Sequence, residues 1–244
     1  MEKNDWKMDV LLPGSWRGAT TVLLSNGSRH AVVDTGMPHE AHQVMDALER
    51  HGLHPDDVDF VLCTHFHVDH VLNNSLFPKS TIIGSQESYD WCCSLYSDLR
   101  DEQDWEKLVL KYYPQTFDYD RARELMVRLR QFALRWWDPK CLGAISQYRW
   151  VEKHALAEGI ESVMTGGHVP GHVSLRVASN GATAVVAGDA LLTRAEDQPV
   201  LTMIAHNREQ MAADREYILS LGGLVVPGHD IAFQSDHPDP EPGL

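Results

Sequence analysis

The sequence predicts an α/β chain whose strands and helices alternate in two halves, and three observations carry that expectation. Short β-branched runs recur between turn signals at residues 20–24, 31–33, 58–63, 81–83 and 183–187. Helix-period stripes separate them, with Ala41, Val44, Ala47 and Leu48 on one face of the first. The chain has 244 residues, 43% of them hydrophobic, enough to bury a full core, and one domain over 1–244 is preferred to two small ones.

In order, Leu11-Leu12 and residues 20–24 read as strands, and Asn26-Gly27 before Ala31-Val32-Val33 is a hairpin turn signal. Pro38 opens a helix that Gly52 stops. Residues 58–63 form a nearly continuous apolar strand, and 81–83 another. A helical insert follows at about 88–147. Within it Ala122, Leu125, Met126, Leu129, Phe132, Ala133 and Trp136 recur at helical spacing, and Arg121, Arg123, Arg128, Arg130 and Arg135 lie mostly off that stripe. Short strands at 149–153, 160–164, 174–178 and 183–187 are parted by Gly159 and Asn180-Gly181, and a helix over 208–221 feeds Leu224-Val225-Val226. The Pro- and Asp-rich tail, 235–244, is expected to be loosely ordered.

The formal net charge of −14 disfavours a nucleic acid as the main partner, because such binding rests on a basic surface. No apolar stretch approaches the roughly 20 residues of a membrane span, and Met1-Glu2-Lys3-Asn4-Asp5-Trp6 does not begin like a signal peptide. A cytoplasmic protein is the expectation. Cys63, Cys92, Cys93 and Cys141 make no disulfide framework.

The segment with chemistry is Thr64-His65-Phe66-His67-Val68-Asp69-His70, three imidazoles and a carboxylate behind an apolar strand. Imidazole and carboxylate are the ligand types that zinc and similar ions prefer. A solvated His-rich loop would not sit behind a buried strand. His65 and His67 alternate on an extended segment and project together, whereas Asp69 and His70 fall where the chain turns into a helix. Two directions suggest two metals.

The spacing His-x-His-x-Asp-His is the signature of the metallo-β-lactamase superfamily, and the chain resembles that superfamily over roughly residues 10–234. Asp34-Thr35-Gly36 after a strand, Thr165-Gly166-Gly167-His168-Val169-Pro170-Gly171-His172, Gly188-Asp189 and Gly228-His229-Asp230 match its further motifs in order. The resemblance implies a four-layer αβ/βα sandwich with the site at one edge. It implies that His65, His67 and His168 hold one divalent ion and Asp69, His70 and His229 a second, with Asp189 between them. Zinc is the default, and iron or manganese also suit such a site. Asp34 and His172 are expected to orient ligands, and Asp69 to orient the attacking hydroxide and return a proton.

The resemblance implies hydrolysis of a small-molecule ester, lactone or thioester, with a hydroxide held between the metals as nucleophile. A true β-lactamase is disfavoured, because Gly188-Asp189 supplies a bridging carboxylate that those enzymes lack. A full glyoxalase II is disfavoured because only about fifteen residues follow His229. Acyl-homoserine lactonases place a tyrosine three residues after the bridging aspartate, where this chain has Leu192. Phosphodiester cleavage is a second reading, since Leu76-Phe77-Pro78 and Val225-Val226-Pro227-Gly228-His229 are similar to small RNA-acting members. A mononuclear iron sulfur dioxygenase is a third.

Two departures bear on the pocket. Val71-Leu72 stand where two small residues commonly follow the histidine motif, so that helix must pack differently. The insert is also charge-split, with nine acidic and three basic residues in 85–120 but seven basic and two acidic in 121–150. It reads either as an acidic and a basic helix paired with each other or with a second subunit, giving a homodimer, or as a lid walled by Trp136, Trp137 and Tyr148.

Overall fold

The computed structural model describes residues 5–15, 18–116, 118–195 and 205–235. Strands β1 (Lys7–Leu12), β2 (Thr21–Ser25), β3 (His30–Val33), β4 (Phe60–Leu62), β5 (Thr81–Gly84) and β6 (Tyr148–Trp150) form the first sheet in that spatial order. β1, β2 and β3 pair antiparallel, and β3 through β6 run parallel. The second sheet has the order β11 (Phe233–Gln234), β10 (Leu224–Pro227), β9 (Ala182–Gly188), β8 (Val173–Ser179) and β7 (Ile160–Met164), with β9 and β10 parallel. The helices are α1 (Ala41–Arg50), α2 (Val68–Val71), α3 (Gln86–Asp101), α4 (Trp105–Tyr112), α5 (Tyr119–Arg135), α6 (Pro139–Leu142) and α7 (Arg208–Ser220).

Strand periodicity builds the layers. In the first sheet Val22, Leu24, Ala31, Val33, Leu62 and Ile83 face inward, where they meet Ile160, Leu175, Val177, Val186 and Val226 of the second sheet. Their neighbours Leu23, Val32, Val61 and Ile82 face the other way and are covered by α1 and the insert helices. Val185, Ala187 and Val225 likewise face outward beneath Ile218 of α7. Because successive strand residues point to opposite faces, each sheet buries both, and each needs a helical layer outside. The result is the four-layer helix–sheet–sheet–helix sandwich expected from the sequence. Val71 and Leu72 are both buried in the outer core with α1 and the insert, which is how the bulkier pair is accommodated.

The insert is helical as expected, and the basic α5 packs on the acidic α3 and α4 within the chain, as one of the two expectations had it. Residues Ala122, Met126, Leu129 and Ala133 of α5 bury its apolar stripe in the core that also holds Cys92, Leu95 and Leu99 of α3. The Arg100 guanidinium donates to the carbonyls of Ala133, at 2.8 and 3.0 Å, and Trp137, at 2.9 Å, so it serves the carbonyl end of α5 rather than an acidic partner. Arg130 lies over the Trp105 ring at 5.5 Å. Ion pairs such as Lys107–Glu102 and Lys111–Asp98 stay within the acidic portion. Apolar packing and these guanidinium contacts join the two parts, with the Arg121–Asp118 ion pair at 4.0 Å where α5 begins. The tail beyond Ser235 lies outside the described residues, within which no helix is long and apolar enough to cross a membrane.

Candidate metal centre

Parallel neighbours bring the motifs together. β3 and β4 end side by side, so Asp34 and the segment after Leu62 emerge at the same sheet edge; β9 and β10 do the same for Asp189 and His229. His67 is extended, with φ −67° and ψ 154°, and caps α2. His65 and His67 therefore leave a straight segment, while Asp69 and His70 leave the first turn of a helix. His168 lies on the turn after β7, fastened to α7 by the Gly167 amide donating to Asp214 Oδ2 at 2.8 Å and the Asn207 amide donating to Gly167 O at 2.9 Å. Only glycine fits at 167, since a Cβ there would stand 2.1 Å from Met211 N.

His65, His67, His168 and Asp189 form one group of donors, and Asp69, His70 and His229 another, each with its donor atoms within 4.8 Å of one another. Within the first, His67 Nδ1 is 3.0 Å from His168 Nε2, and Asp189 Oδ2 is 3.2 Å from His168 Nε2 and 3.8 Å from His65 Nε2. In the second, Asp189 Oδ1 is 3.3 Å from His70 Nε2 and 3.4 Å from His229 Nε2, and Asp69 Oδ2 is 3.4 Å from His229 Nε2. One carboxylate thus turns one oxygen to each group. Gly228 makes this approach possible, because a Cβ there would lie 2.1 Å from Asp189 Oδ1.

The donors fit divalent ions. Ligand bonds of 2.0–2.2 Å in a tetrahedron put neighbouring donor atoms about 3.3–3.6 Å apart, close to the separations found here. Buried His65 Nε2, His70 Nε2, His168 Nδ1 and Asp189 Oδ1 have no hydrogen-bond partner, and the first two and the last face the cluster. Leaving such atoms unpaired is costly unless a ligand takes them.

The surrounding hydrogen bonds set the imidazole tautomers. Asp34 accepts from the Thr64 amide at 2.9 Å, the Thr64 hydroxyl at 2.8 Å and His70 Nδ1–H at 2.7 Å. His70 Nε2 is thereby left to face Asp189. Asp34 holds φ +52°, a left-handed conformation that costs about 1–3 kcal/mol at a non-glycine residue. His229 Nδ1–H donates to Ser15 O at 2.9 Å, which leaves its Nε2 for the second group. His172 has both nitrogens engaged. Its Nε2 accepts from the Asp189 amide at 3.0 Å, so its Nδ1–H donates to Thr165 Oγ1 at 2.8 Å, which reaches Ser174 Oγ at 2.9 Å and through it Ala187 O at 2.8 Å.

The two groups also differ in charge. Burial holds His65 and His168 well below the ordinary imidazole range and brings His67 down to about 4. Neutral imidazole is the form that binds metal. Burial is the largest single influence on His70 and His229 and opposes their charge, but the carboxylates together outweigh it, Asp189 and Asp69 at both and Asp34 beside His70. His70 is held well above its usual range and His229 is raised to about 9. Burial disfavours the Asp189 carboxylate, yet His229, His70 and His168 together keep it well below the usual range.

The residues expected to line the pocket sit elsewhere in the packing. Trp137 is buried with its ring 4.2 Å from that of Tyr96, and Trp136 carries Arg135 at 4.7 Å. Tyr148 is buried against Phe66 and donates its hydroxyl to Leu142 O at 2.6 Å. Leu192 is buried with Ala205 and Met211, and its carbonyl accepts from the His229 amide at 2.8 Å, so it props the loop that carries His229. The insert rings near the histidines are different ones. Trp91 of α3 lies 6.0 Å from the His67 ring, edge-on to Tyr112, Tyr113 and His206, and Tyr113 Oη is 3.4 Å from His67 Nε2. Sequence reading passed over Trp91 and Tyr113; the usable signal was Tyr112-Tyr113-Pro114, where a proline ends α4 and sends consecutive tyrosines in different directions.

Residues 14–234 match the Metallo-beta-lactamase superfamily. Metallo-beta-lactamase domain-containing protein 1 of Xenopus laevis is 27% identical over 215 residues, covering 88% of this chain and 72% of its own. Among solved structures, a probable metal-dependent hydrolase from Staphylococcus aureus superposes with a TM-score of 0.63 over 100% of both chains at 17% identity. AidC, a dizinc quorum-quenching lactonase in complex with a product, superposes with a TM-score of 0.60 over 93% of this chain and 85% of its own at 16% identity. The chain belongs to the metallo-β-lactamase superfamily and is a metal-dependent hydrolase.

Proposed function

We propose that the protein is a dinuclear hydrolase acting on an ester, lactone or thioester of a small molecule. The observation that carries this reading is the Asp189 carboxylate, with one oxygen toward each donor group. His65, His67 and His168 would hold one divalent ion, most simply zinc, and Asp69, His70 and His229 the other, with Asp189 shared. When bound, the pair supplies Lewis acidity at the bond under attack and a water acidified toward neutral pH. Asp34, Ser15 and the Thr165–Ser174 chain behind His172 hold their partners in fixed tautomers and orientations. Asp69 is half-buried, with Oδ2 toward His229, and is the carboxylate placed to orient the nucleophile and hand a proton to the leaving group. Trp91 and Tyr113 restrict water on the insert side. A lactonase of the same fold, with N-hexanoyl-L-homoserine product bound at its catalytic metal centre, supports the small-molecule class, and the net charge of −14 argues against polyanions.

Elemental analysis of the purified protein, paired with a panel of lactones, thioesters, carboxylic esters and phosphodiesters, tests this. The expected result is about two ions per chain, as two donor groups require, with turnover confined to the carbonyl substrates. One iron without zinc, or cleavage of the phosphodiesters alone, would overturn it.

The charge difference between the donor groups has a pH signature. The imidazoles of the first group are already neutral near pH 7, whereas an ion entering the second must displace protons from His70 and from His229, whose pKa is raised to about 9. Affinity at the second group should therefore climb as pH rises toward about 9, while the first changes little over that range. Chelator competition at several pH values reads both steps, and equal slopes for the two ions would sink the assignment.

A further inference from the structure

We propose that the helical insert is part of the metal centre, through Tyr113 acting as a positioning residue for His67. This rests on the reading of His67 as a metal ligand. Tyr113 is fully buried, and its phenol oxygen lies 3.4 Å from His67 Nε2. Neither atom has another hydrogen-bond partner among the described residues. The opposite nitrogen, Nδ1, is the one that meets His168 Nε2 at 3.0 Å. With Nδ1 turned to an ion, Nε2 carries the proton and donates it to the phenol oxygen. The tyrosine thus selects the tautomer that exposes the Nδ1 lone pair, and it limits rotation of a ring that also meets Trp91 at a tilt of 55°, 6.0 Å away. At 3.4 Å the contact is long for N–H···O, yet a phenol buried without a partner is costly, so the imidazole is what justifies a tyrosine here rather than a phenylalanine.

Local backbone explains how an insert residue reaches so deep. α4 ends at Tyr112, and Tyr113 adopts φ −130° and ψ 63° ahead of Pro114, outside the helical region. The two side chains therefore diverge. Tyr112 donates its hydroxyl to Asp98 Oδ2 at 2.7 Å, within the insert, while Tyr113 turns toward the ligands. His206 and Arg208, at the start of α7, reach the same turn, with His206 Nδ1 3.1 Å from Tyr112 O and the Arg208 amide donating to Gln115 Oε1 at 2.7 Å. The insert is thus tied to the start of α7, whose preceding His206 amide donates to His168 O at 2.9 Å.

Tyr112 supplies the internal control. Tyr113→Phe and Tyr112→Phe each remove one hydroxyl from the same turn and keep the ring. Cobalt(II) and zinc affinities are measured by chelator competition, the cobalt d–d spectrum is recorded, and thermal melting is followed without metal. Tyr113→Phe is expected to weaken one ion by about 10–100-fold, the usual effect of losing a ligand's outer partner, and to shift the cobalt spectrum. Tyr112→Phe is expected to lower melting temperature while leaving affinity and spectrum unchanged. His67→Ala tests the underlying reading separately, since it must lose one ion whatever Tyr113 does. Wild-type affinity and spectrum in Tyr113→Phe, with the ion lost in His67→Ala, would overturn the proposal alone. Retention of both ions in His67→Ala would overturn the ligand reading first.

Discussion

Asp189→Ala should release both ions, reducing metal from about two per chain to less than one, since two donor groups share this carboxylate. No other residue in the cluster has an oxygen facing each group; its Oδ1 lies 3.3 Å from His70 Nε2 and its Oδ2 3.2 Å from His168 Nε2. Lewis-acid stabilisation of a transition state is worth several kcal/mol, so turnover should fall by about 10³-fold or more. Removing the carboxylate also strips His70 and His229 of the charge that raises their pKa values, so both imidazoles become easier to deprotonate. Metal analysis and single-substrate kinetics read the result. A variant that kept both ions at wild-type affinity would show that the two groups do not depend on Asp189.

The second large effect separates two histidines four residues apart. His168→Ala should lose the ion of the first group and nearly all activity, because His168 Nε2 meets both His67 and Asp189. His172→Ala should keep both ions and lose about 10–100-fold in activity, the range typical for partners behind a ligand. Both nitrogens of His172 are spent on the Asp189 amide and Thr165, so it has no lone pair to offer an ion. The opposite pattern, with metal lost in His172→Ala and kept in His168→Ala, would reverse the two roles.

Most strands and α1 and α5 were legible because their apolar periods are strong, and residues 60–62, 81–84 and 182–188 fall where the sequence pointed, whereas the short β11 at Phe233–Gln234 gave no signal. β1 was read only at Leu11-Leu12, since Lys7 to Val10 mix charged and exposed positions on an edge strand. The segment from His65 to His70 was legible as a metal site because its donors are contiguous. His168, Asp189 and His229 were read through family resemblance, for a single histidine or aspartate in a loop has no local signal of its own. The aromatic residues of the insert were least legible. Trp91, Trp136 and Trp137 look alike in sequence, and only the docking of α3 and α5 on the sheet decides that Trp137 packs on Tyr96 while Trp91 stands beside His67.

The division of the donors between the two halves has a consequence for how the protein matures. His65, His67, Asp69 and His70 precede the insert, and the remaining donors arrive about a hundred or more residues later, so each group spans both sheets. An N-terminal half leaving the ribosome has four donors in one short segment and can hold an ion only loosely. Closure waits for β9 and β10 to pair and bring Asp189 and His229 to the same edge. With two ions bound as proposed, neither would depart without strain on the junction between the sheets, and they would lengthen the lifetime of the assembled state as well as serve chemistry. Unfolding rate in chelator, compared with unfolding rate in metal, becomes a direct gauge of how tightly the two halves are latched.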